Sequence, residues 1–378
     1  MKGEKVSVCL LRSTGINPDP RAMKAAVWLH EAGYNVRIIG WNRHDDAPKK
    51  EIINGVKIER IHIRSSYGSG IKNIFRLFLF NLYLVWYVFK YKPDVVHACD
   101  LDTALPAVLM KMIRKTKVVY DIYDFYAESR RMGKLESFVR SLEKWVVRKS
   151  DTVILAHERR VEQLGTLSDM EKRKIITIYN TPKDIRIELG NKEFPDYPYF
   201  SYVGVLAEDR GLPTLLDAVE GMNEIGLVVA GFGPLENKIK SRVISHDKVN
   251  FIGKISYEDA LQIQGHSVAV VALYDPAVPN NRYAAPNKLY ESAMLGKPVI
   301  TSEGTLFSEV VRKEGIGYVV PYGDVNLLRQ ACYKIIRNPK ETEIMGMRAR
   351  RIYEQSYSAE NMRRVLVEAY HKLNIDSW

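Results

Sequence analysis

Cysteine is scarce: Cys9, Cys99 and Cys332 are the only three in 378 residues, far apart and without a C-x-x-C pair. So odd and scattered a set supports neither a disulfide framework nor a thiolate zinc site, and it fits a reducing cytosol. No apolar run reaches the roughly 20 residues that a membrane-spanning helix needs. The longest, residues 77–89, is broken by Asn81 and flanked by Lys72, Arg76, Lys90 and Lys92. Its aromatic and leucine faces with cationic ends suit either a helix packed on a sheet or one half-sunk in a headgroup layer. No secretory signal is readable, because Met1 and Lys2 lead straight into a strand-like run at 6–11, so the chain is expected to begin folded. Disorder is excluded by 46% hydrophobic residues. Single cores stop growing at roughly 250–300 residues, so this length predicts two domains.

The charge is one-sided. Residues 1–200 hold 35 Lys+Arg against 24 Asp+Glu, whereas residues 201–378 hold 21 of each, so the whole +11 excess lies in the first half. That half is expected to face something anionic, such as a membrane surface or a phosphorylated acceptor. Nucleic acid is set aside as a partner, since no recognition motif accompanies the charge.

Short β-branched runs alternate with helix-length segments at 6–11, 35–40, 56–63, 95–98, 117–121, 152–156 and 175–179. Their continuous apolar character predicts strands buried on both faces, hence mostly parallel. A proline-rich lapse around 180–199 separates them from a second series at 199–203, 226–230, 249–252, 268–273, 298–301 and 317–320. The expected fold is therefore α/β, two Rossmann-like doubly wound domains facing a central cleft, the first over 1–190 and the second over 191–358. An amphipathic helix in 359–378 is expected to pack back on the first domain.

Ligands of such sheets bind beyond the carboxyl ends of the strands, so the loops there carry the candidates. Gly204 opens a loop that closes with Arg210 and Gly211 before helix-like sequence at Pro213. It is either a plain turn or a cradle in which helix-start amides and a guanidinium take a pyrophosphate. Gly231 and Gly233 follow the next strand, but Glu236 breaks a G-x-G-x-x-G, which disfavours a nicotinamide site. In 280–292, NNRYAAPNKLYES, Lys288 and Glu291 lie three apart on one face of a helix beginning near Pro286. They form either a surface ion pair or an ammonium for phosphate beside a carboxylate for ribose hydroxyls; spacing alone does not separate these. Asp100 and Asp102 form a D-x-D that opens a helix-like stretch, where an N-cap role is expected rather than a metal.

Taken in order, DPRAMKAAVWLHEAGYNVRII after the first strand, PDVVHACDLDTALPA, VVYDIYDFYAES, WVVRKSDTVILA, YVGVLAEDRGLPTLLDAV, GFGPLE, APNKLYESAMLGKPVITS and GIGYVVPYGD resemble the family-4 retaining glycosyltransferases of the GT-B type. The resemblance covers essentially the whole chain. It implies transfer of a hexose-type sugar from a nucleotide-diphosphate sugar to a glycan or lipid-linked acceptor, in cell-surface polysaccharide or glycoconjugate biosynthesis. No cofactor and no metal are implied, and the expected location is cytoplasmic, peripheral on the inner membrane face. Arg210 and Lys288 would neutralise the leaving diphosphate, and Glu291 would hold the ribose. Gly204, Gly231, Gly233 and Asn287 would line the nucleotide, and the loop at Thr14 and Gly15 would close over the diphosphate. Asp124 is the candidate for orienting a donor or acceptor hydroxyl. The chain departs from the family pattern at Tyr283, where the first glutamate of E-x7-E belongs, at Val205 for an arginine, and at Cys99, Tyr123 and Asp124 for His, His and Glu. Those departures keep open a catalytically silent nucleotide-sugar-binding subunit. A GT-B-type sugar-nucleotide epimerase is the other alternative.

Overall fold

Alternation of β-branched runs with amphipathic stretches builds two α/β units in a computed structural model that describes residues 5–16, 19–44, 46–65, 70–129, 133–185, 195, 197–243 and 247–373. The first unit comprises Met1–Tyr179 with Met362–Trp378, and the second Asn180–Asn361. The boundary expected at 190/191 lies outside the described residues.

In the first unit the order is β1 (Ser7–Arg12), α1 (Pro20–Glu31), β2 (Asn35–Asn42), β3 (Lys50–Ile53), β4 (Val56–His62), α2 (Gly70–Tyr91), β5 (Val95–Cys99) and α3 (Leu101–Ile113). It continues through β6 (Lys117–Ile122), α4 (Tyr126–Ser129), α5 (Glu136–Lys149), β7 (Thr152–Leu155), α6 (Asp169–Arg173) and β8 (Ile175–Thr177). The sheet runs β3-β4-β2-β1-β5-β6-β7-β8, parallel except for β3 against β4. That hairpin turns on Asn54 (φ 50°) and Gly55 (φ 79°), the Asn-Gly pair whose positive φ values match strand twist.

Period-two burial splits this sheet into two cores. Val8, Leu10, Ile38 and Val119 face α1 and the C-terminal helix, whereas Cys9, Leu11, Ile39 and Tyr120 face the side covered by α2, α3 and α5. Asp19 caps α1, accepting from the Ala22 amide, with Pro20 at the first helical position, where its missing N–H costs nothing.

The second unit holds β9 (Tyr199–Val203), α7 (Leu212–Val219), β10 (Gly226–Ala230), α8 (Glu236–Val243), β11 (Val249–Gly253), α9 (Tyr257–His266), β12 (Ala269–Ala272) and α10 (Pro279–Arg282). Then come α11 (Asn287–Leu295), β13 (Val299–Ser302), α12 (Leu306–Glu314), β14 (Gly317–Val320), α13 (Val325–Arg337) and α14 (Pro339–Ile352). Its sheet, β11-β10-β9-β12-β13-β14, is wholly parallel. The last helix, α15 (Ala359–His371), buries Met362, Leu366 and Tyr370 in the core of the first unit.

Strand order reverses between β1 and β5 in one sheet and between β9 and β12 in the other. Crossovers leave in opposite directions there, which opens a crevice beyond the strand ends. Both switch points coincide with the loops singled out from sequence.

Candidate functional site

In the second unit the loop after β9 begins at Gly204, whose φ of 151° is open to glycine alone. A side chain there would strike the Lys288 ammonium. Gly231 and Gly233 have φ of 145° and 154°, and side chains on them would fall on the Gly204 carbonyl and the Leu206 backbone. The room these two glycines leave is thus occupied by the neighbouring loop. The contact is fastened by Gly204 N to Ala230 O (2.9 Å), Leu206 N to Phe232 O (3.0 Å) and Leu235 N to Leu206 O (3.0 Å). Tyr202 donates to Val205 O (2.7 Å), so the backbone at 204–206 is fixed from both sides.

Lys288 and Glu291 lie in the first turns of α11, with Pro286 at its N-cap. They do not turn toward the same partner. The Lys288 ammonium sits at Gly204, 5.8 Å from the Tyr202 ring centre. Glu291 is buried and accepts from Gln264 Nε2 (3.3 Å) and from Tyr257. Burial, with Arg210 adding to it against the pull of Glu291, holds the Lys288 ammonium below the ordinary lysine range. A half-buried cation at a glycine loop gains from an arriving anion, because part of its desolvation has already been met by the fold.

Arg210 ends the same loop. It donates to Asn281 Oδ1 (2.9 Å), approaches Asp209 (3.4 Å) and lies over the Tyr274 ring at 4.6 Å. Asn281 in turn donates to Asp209 Oδ2 (3.0 Å) and Asp275 O (3.1 Å). The Gly211 amide donates to Tyr322 (3.2 Å), and α7 starts at Gly211 without a side-chain cap. Gly204, Arg210, Lys288, Gly231 and Gly233 therefore share one loop cluster at the β9/β12 switch point. Asn287 accepts from Asn180 (2.8 Å) at the start of α11, and Tyr283 follows α10, half-buried. Sequence reasoning missed Asn281, Gln264, Tyr257 and Tyr274, because nothing in their local pattern distinguishes them from other residues near strand and helix ends.

The first unit gathers charge at the ends of β1, β5 and β6. Asp100 does not fill the N-cap role expected of it: it precedes α3 but its side chain makes no capping bond. Instead it takes φ 65°, and its carboxylate binds Arg12 and accepts from the amides of Tyr123 (2.9 Å) and Asp124 (3.4 Å). Those bonds hold a non-glycine residue in a region that costs on the order of 1–3 kcal/mol. Burial raises its pKa to about 6 despite Arg12. The Tyr123 ring lies 4.2 Å from the guanidinium carbon of both Arg12 and Arg21. Arg21 pairs with Asp121 (2.5 Å), which His97 approaches at 3.4 Å, and His97 meets the Tyr370 hydroxyl at 2.7 Å. Cys99 is buried, and desolvation with nearby Asp121 pushes its thiol well up, so it is no nucleophile.

Asp124 is exposed, with Arg160 Nη2 at 3.4 Å. Gly15 has room for a side chain, its nearest neighbour being Asn42 at 3.8 Å, and its carbonyl accepts from Arg60 Nε (2.5 Å). Arg12 and Arg21 were not singled out from sequence; Arg12, a charged residue where the buried parallel strand β1 ends, offers a usable signal, whereas Arg21 lies in the first turn of α1. Among the described residues no group of three or more His, Cys, Asp or Glu is placed to hold a metal ion.

The family model "Glycosyl transferases group 1" matches residues 185–352, and "Glycosyl transferase 4-like domain" matches residues 18–181. The D-rhamnosyltransferase WbpZ of Pseudomonas aeruginosa is 30% identical over 198 residues, half of each chain. O-antigen chain mannosyltransferase C of Escherichia coli is 22% identical over 67% of this chain and 69% of its own. Sucrose-phosphate synthase of Thermosynechococcus elongatus superposes with a TM-score of 0.79 at 17% identity, covering 99% of this chain and all of that one. HepE of Anabaena in complex with UDP-glucose gives 0.70 at 14% identity, over 97% and 99%. The fold is GT-B, built from two Rossmann-like domains. The chain lies within the GT-B glycosyltransferase superfamily, related to its type-4-like domains.

Proposed function

We propose that the protein is a glycosyltransferase that moves a hexose-type sugar from a nucleotide-diphosphate sugar to a glycan or lipid-linked acceptor, with retention of configuration and without a metal. The observation that carries this reading is the half-buried Lys288 ammonium at the Gly204 backbone, with Arg210 in the same loop cluster and Glu291 one helical turn on. In that reading Arg210 and Lys288 neutralise charge as it develops on the departing diphosphate, and Glu291 takes ribose hydroxyls. A leaving phosphate oxygen removes the proton of the acceptor hydroxyl as the new glycosidic bond forms on the face the diphosphate vacates. Asp124 is assigned to a substrate hydroxyl. Relatives named for D-rhamnosyl and mannosyl transfer support a hexose-type donor and a role in polysaccharide or glycoconjugate assembly. The site of action proposed is the cytoplasm, at the inner membrane face.

The test is a panel of nucleotide sugars scored by thermal shift and by release of free nucleotide, with and without chelator. Stabilisation by one or two nucleotides, lost in Lys288→Ala and Glu291→Ala and indifferent to chelator, is expected. No shift with any nucleotide would sink the reading. The second reading, a silent nucleotide-sugar-binding subunit, is favoured by Tyr123 clamped between two arginines and Tyr283 standing where a carboxylate is expected. Binding without release of nucleotide or of free sugar, in the presence of any acceptor, identifies it.

A further inference from the structure

A helix on the outside of a soluble domain is apolar on one stripe only. The 22-residue α2 is apolar on two opposite ones. Asn73–Tyr91 is long and apolar enough to cross a membrane, contrary to the expectation from the broken run at 77–89; yet Phe80, Leu84 and Val88 are fully buried, with Phe80 stacked on Trp41 at 5.0 Å, so this stripe is part of the domain core. Roughly 200° away, Phe75 (61% exposed), Phe78, Leu82, Trp86 (51%) and Phe89 form a second stripe at i, i+3, i+4 spacing. The surface does not end there. α3 packs beside α2 on one side and beside α5 on the other. It exposes Leu109 and Met112 (66%), and α5 exposes Phe138 (65%). A face this apolar, spread over three adjacent helices, is rare without a partner.

The charge around it indicates which partner. Arg114 lies over the Phe89 ring at 4.4 Å and Lys90 over Trp86 at 4.8 Å. Near the C-terminal ends of α2 and α3 an open depression is lined by Lys5, Lys57, Lys92, Arg114, Lys115 and Lys117. Its one lining carboxylate, Asp94, is engaged by the amide and hydroxyl of Ser7, both at 2.7 Å. A second copy presenting this same face would bring aromatics to the aromatics but no acidic counterpart to the cations. An anionic bilayer presents hydrocarbon and phosphate together. We propose that the α2–α3–α5 face is a monotopic docking surface for a bilayer containing anionic phospholipid, with α2 lying in the interfacial plane and the basic depression at the headgroups. The proposal is independent of the donor site, since vesicle binding needs no sugar transfer.

The full chain is sedimented with sucrose-loaded vesicles of phosphatidylcholine alone or with 30% phosphatidylglycerol (about one lipid in three), at low and high salt. Expected are binding to the anionic vesicles, a loss of more than tenfold at high salt, and a similar loss in Arg114→Glu/Lys115→Glu, since each cation near the surface is worth about fivefold. Phe78→Ser/Trp86→Ser should lose more than tenfold on the same vesicles with an unchanged circular dichroism spectrum, both side chains being outside the core. Should that pair fail to fold, Trp86→Phe carries the test: tryptophan quenching by brominated lipid should fall sharply while sedimentation persists. Sedimentation insensitive to lipid charge, or no quenching at Trp86, overturns the proposal. So does a doubling of mass in lipid-free solution that the serine pair abolishes, which would assign the face to a second copy.

Discussion

Glu143 offers a direct test of how the loop after β6 is held. It projects from α5, is 2% exposed, and accepts from the Tyr126 amide (2.7 Å) and from Ala127, so a carboxylate closes the start of α4 just beyond Tyr123 and Asp124. Burial, with Glu128 and Asp100 nearby, raises its pKa from 4.5 to about 7, against the pull of those amides and of Arg140. A raised acid pKa means the folded state holds the proton more tightly, so stability falls as pH rises from about 4.5 to about 7 and is level above. At about 1.4 kcal/mol per pH step, the charged carboxylate costs about 3 kcal/mol at pH 8. Gln at this position keeps an acceptor for the Tyr126 amide and carries no charge. Glu143→Gln should therefore be more stable than the parent by about 3 kcal/mol at pH 8, raising the midpoint by roughly 6–12 °C, and agree with it within about 1 kcal/mol near pH 5. The tryptophans at 28, 41, 86 and 145 belong to the first unit and the stretch 180–361 contains none, so tryptophan fluorescence reports the unfolding of the first unit and not of the second. Parallel pH profiles for parent and variant would show that Glu143 titrates normally and refute the reasoning.

Three further outcomes follow from the same geometry. Gly231→Ala should destabilise the second unit by on the order of 3 kcal/mol, because the new carbon falls on the Gly204 carbonyl at a positive φ, whereas Gly15→Ala should change stability by less than about 0.5 kcal/mol; equal melting shifts would contradict the loop packing. Nucleoside diphosphate affinity should weaken as pH rises through the lowered Lys288 pKa, with protons taken up on binding, and Lys288→Arg should flatten the profile; calorimetry in buffers of different ionisation enthalpy reads both, and no proton uptake would count against a lysine contact. Tyr370→Phe removes the 2.7 Å bond to buried His97 and should cost about 1–3 kcal/mol, with faster amide exchange in α15; unchanged exchange there would mean the bond does not anchor the helix.

What could be read from sequence depended on whether one segment carried the signal. Strands buried on both faces announce themselves as β-branched runs, and each run read in that way became a strand of one of the two sheets. β3 was missed because Lys50–Ile53 is four residues with two charges, although Asn54-Gly55 before Val56 marks a tight hairpin. The Gly204 loop, Lys288 and Glu291 were legible as candidates, but their spacing left an ion pair and a binding pair equally open. In the fold Gln264 and Tyr257 engage the carboxylate while the ammonium lies at Gly204, an arrangement set by α9 and β9, each remote in sequence from α11. The Arg12–Tyr123–Arg21 stack was less legible still. Its members come from the end of β1, the start of α1 and the end of β6, and they meet only because the sheet order places β5 between β1 and β6 and turns Asp100 into a positive-φ corner. Strand order is a property of the assembled sheet, so side chains that depend on it have no local pattern to betray them. Two guanidiniums on one ring, tied to Asp100 and Asp121, repel each other unless both carboxylates stay ionised. Acidification through the raised Asp100 pKa, about 6, should therefore loosen this corner before the Arg21–Asp121 pair is affected, since Arg21 and His97 hold the Asp121 carboxyl below its ordinary range.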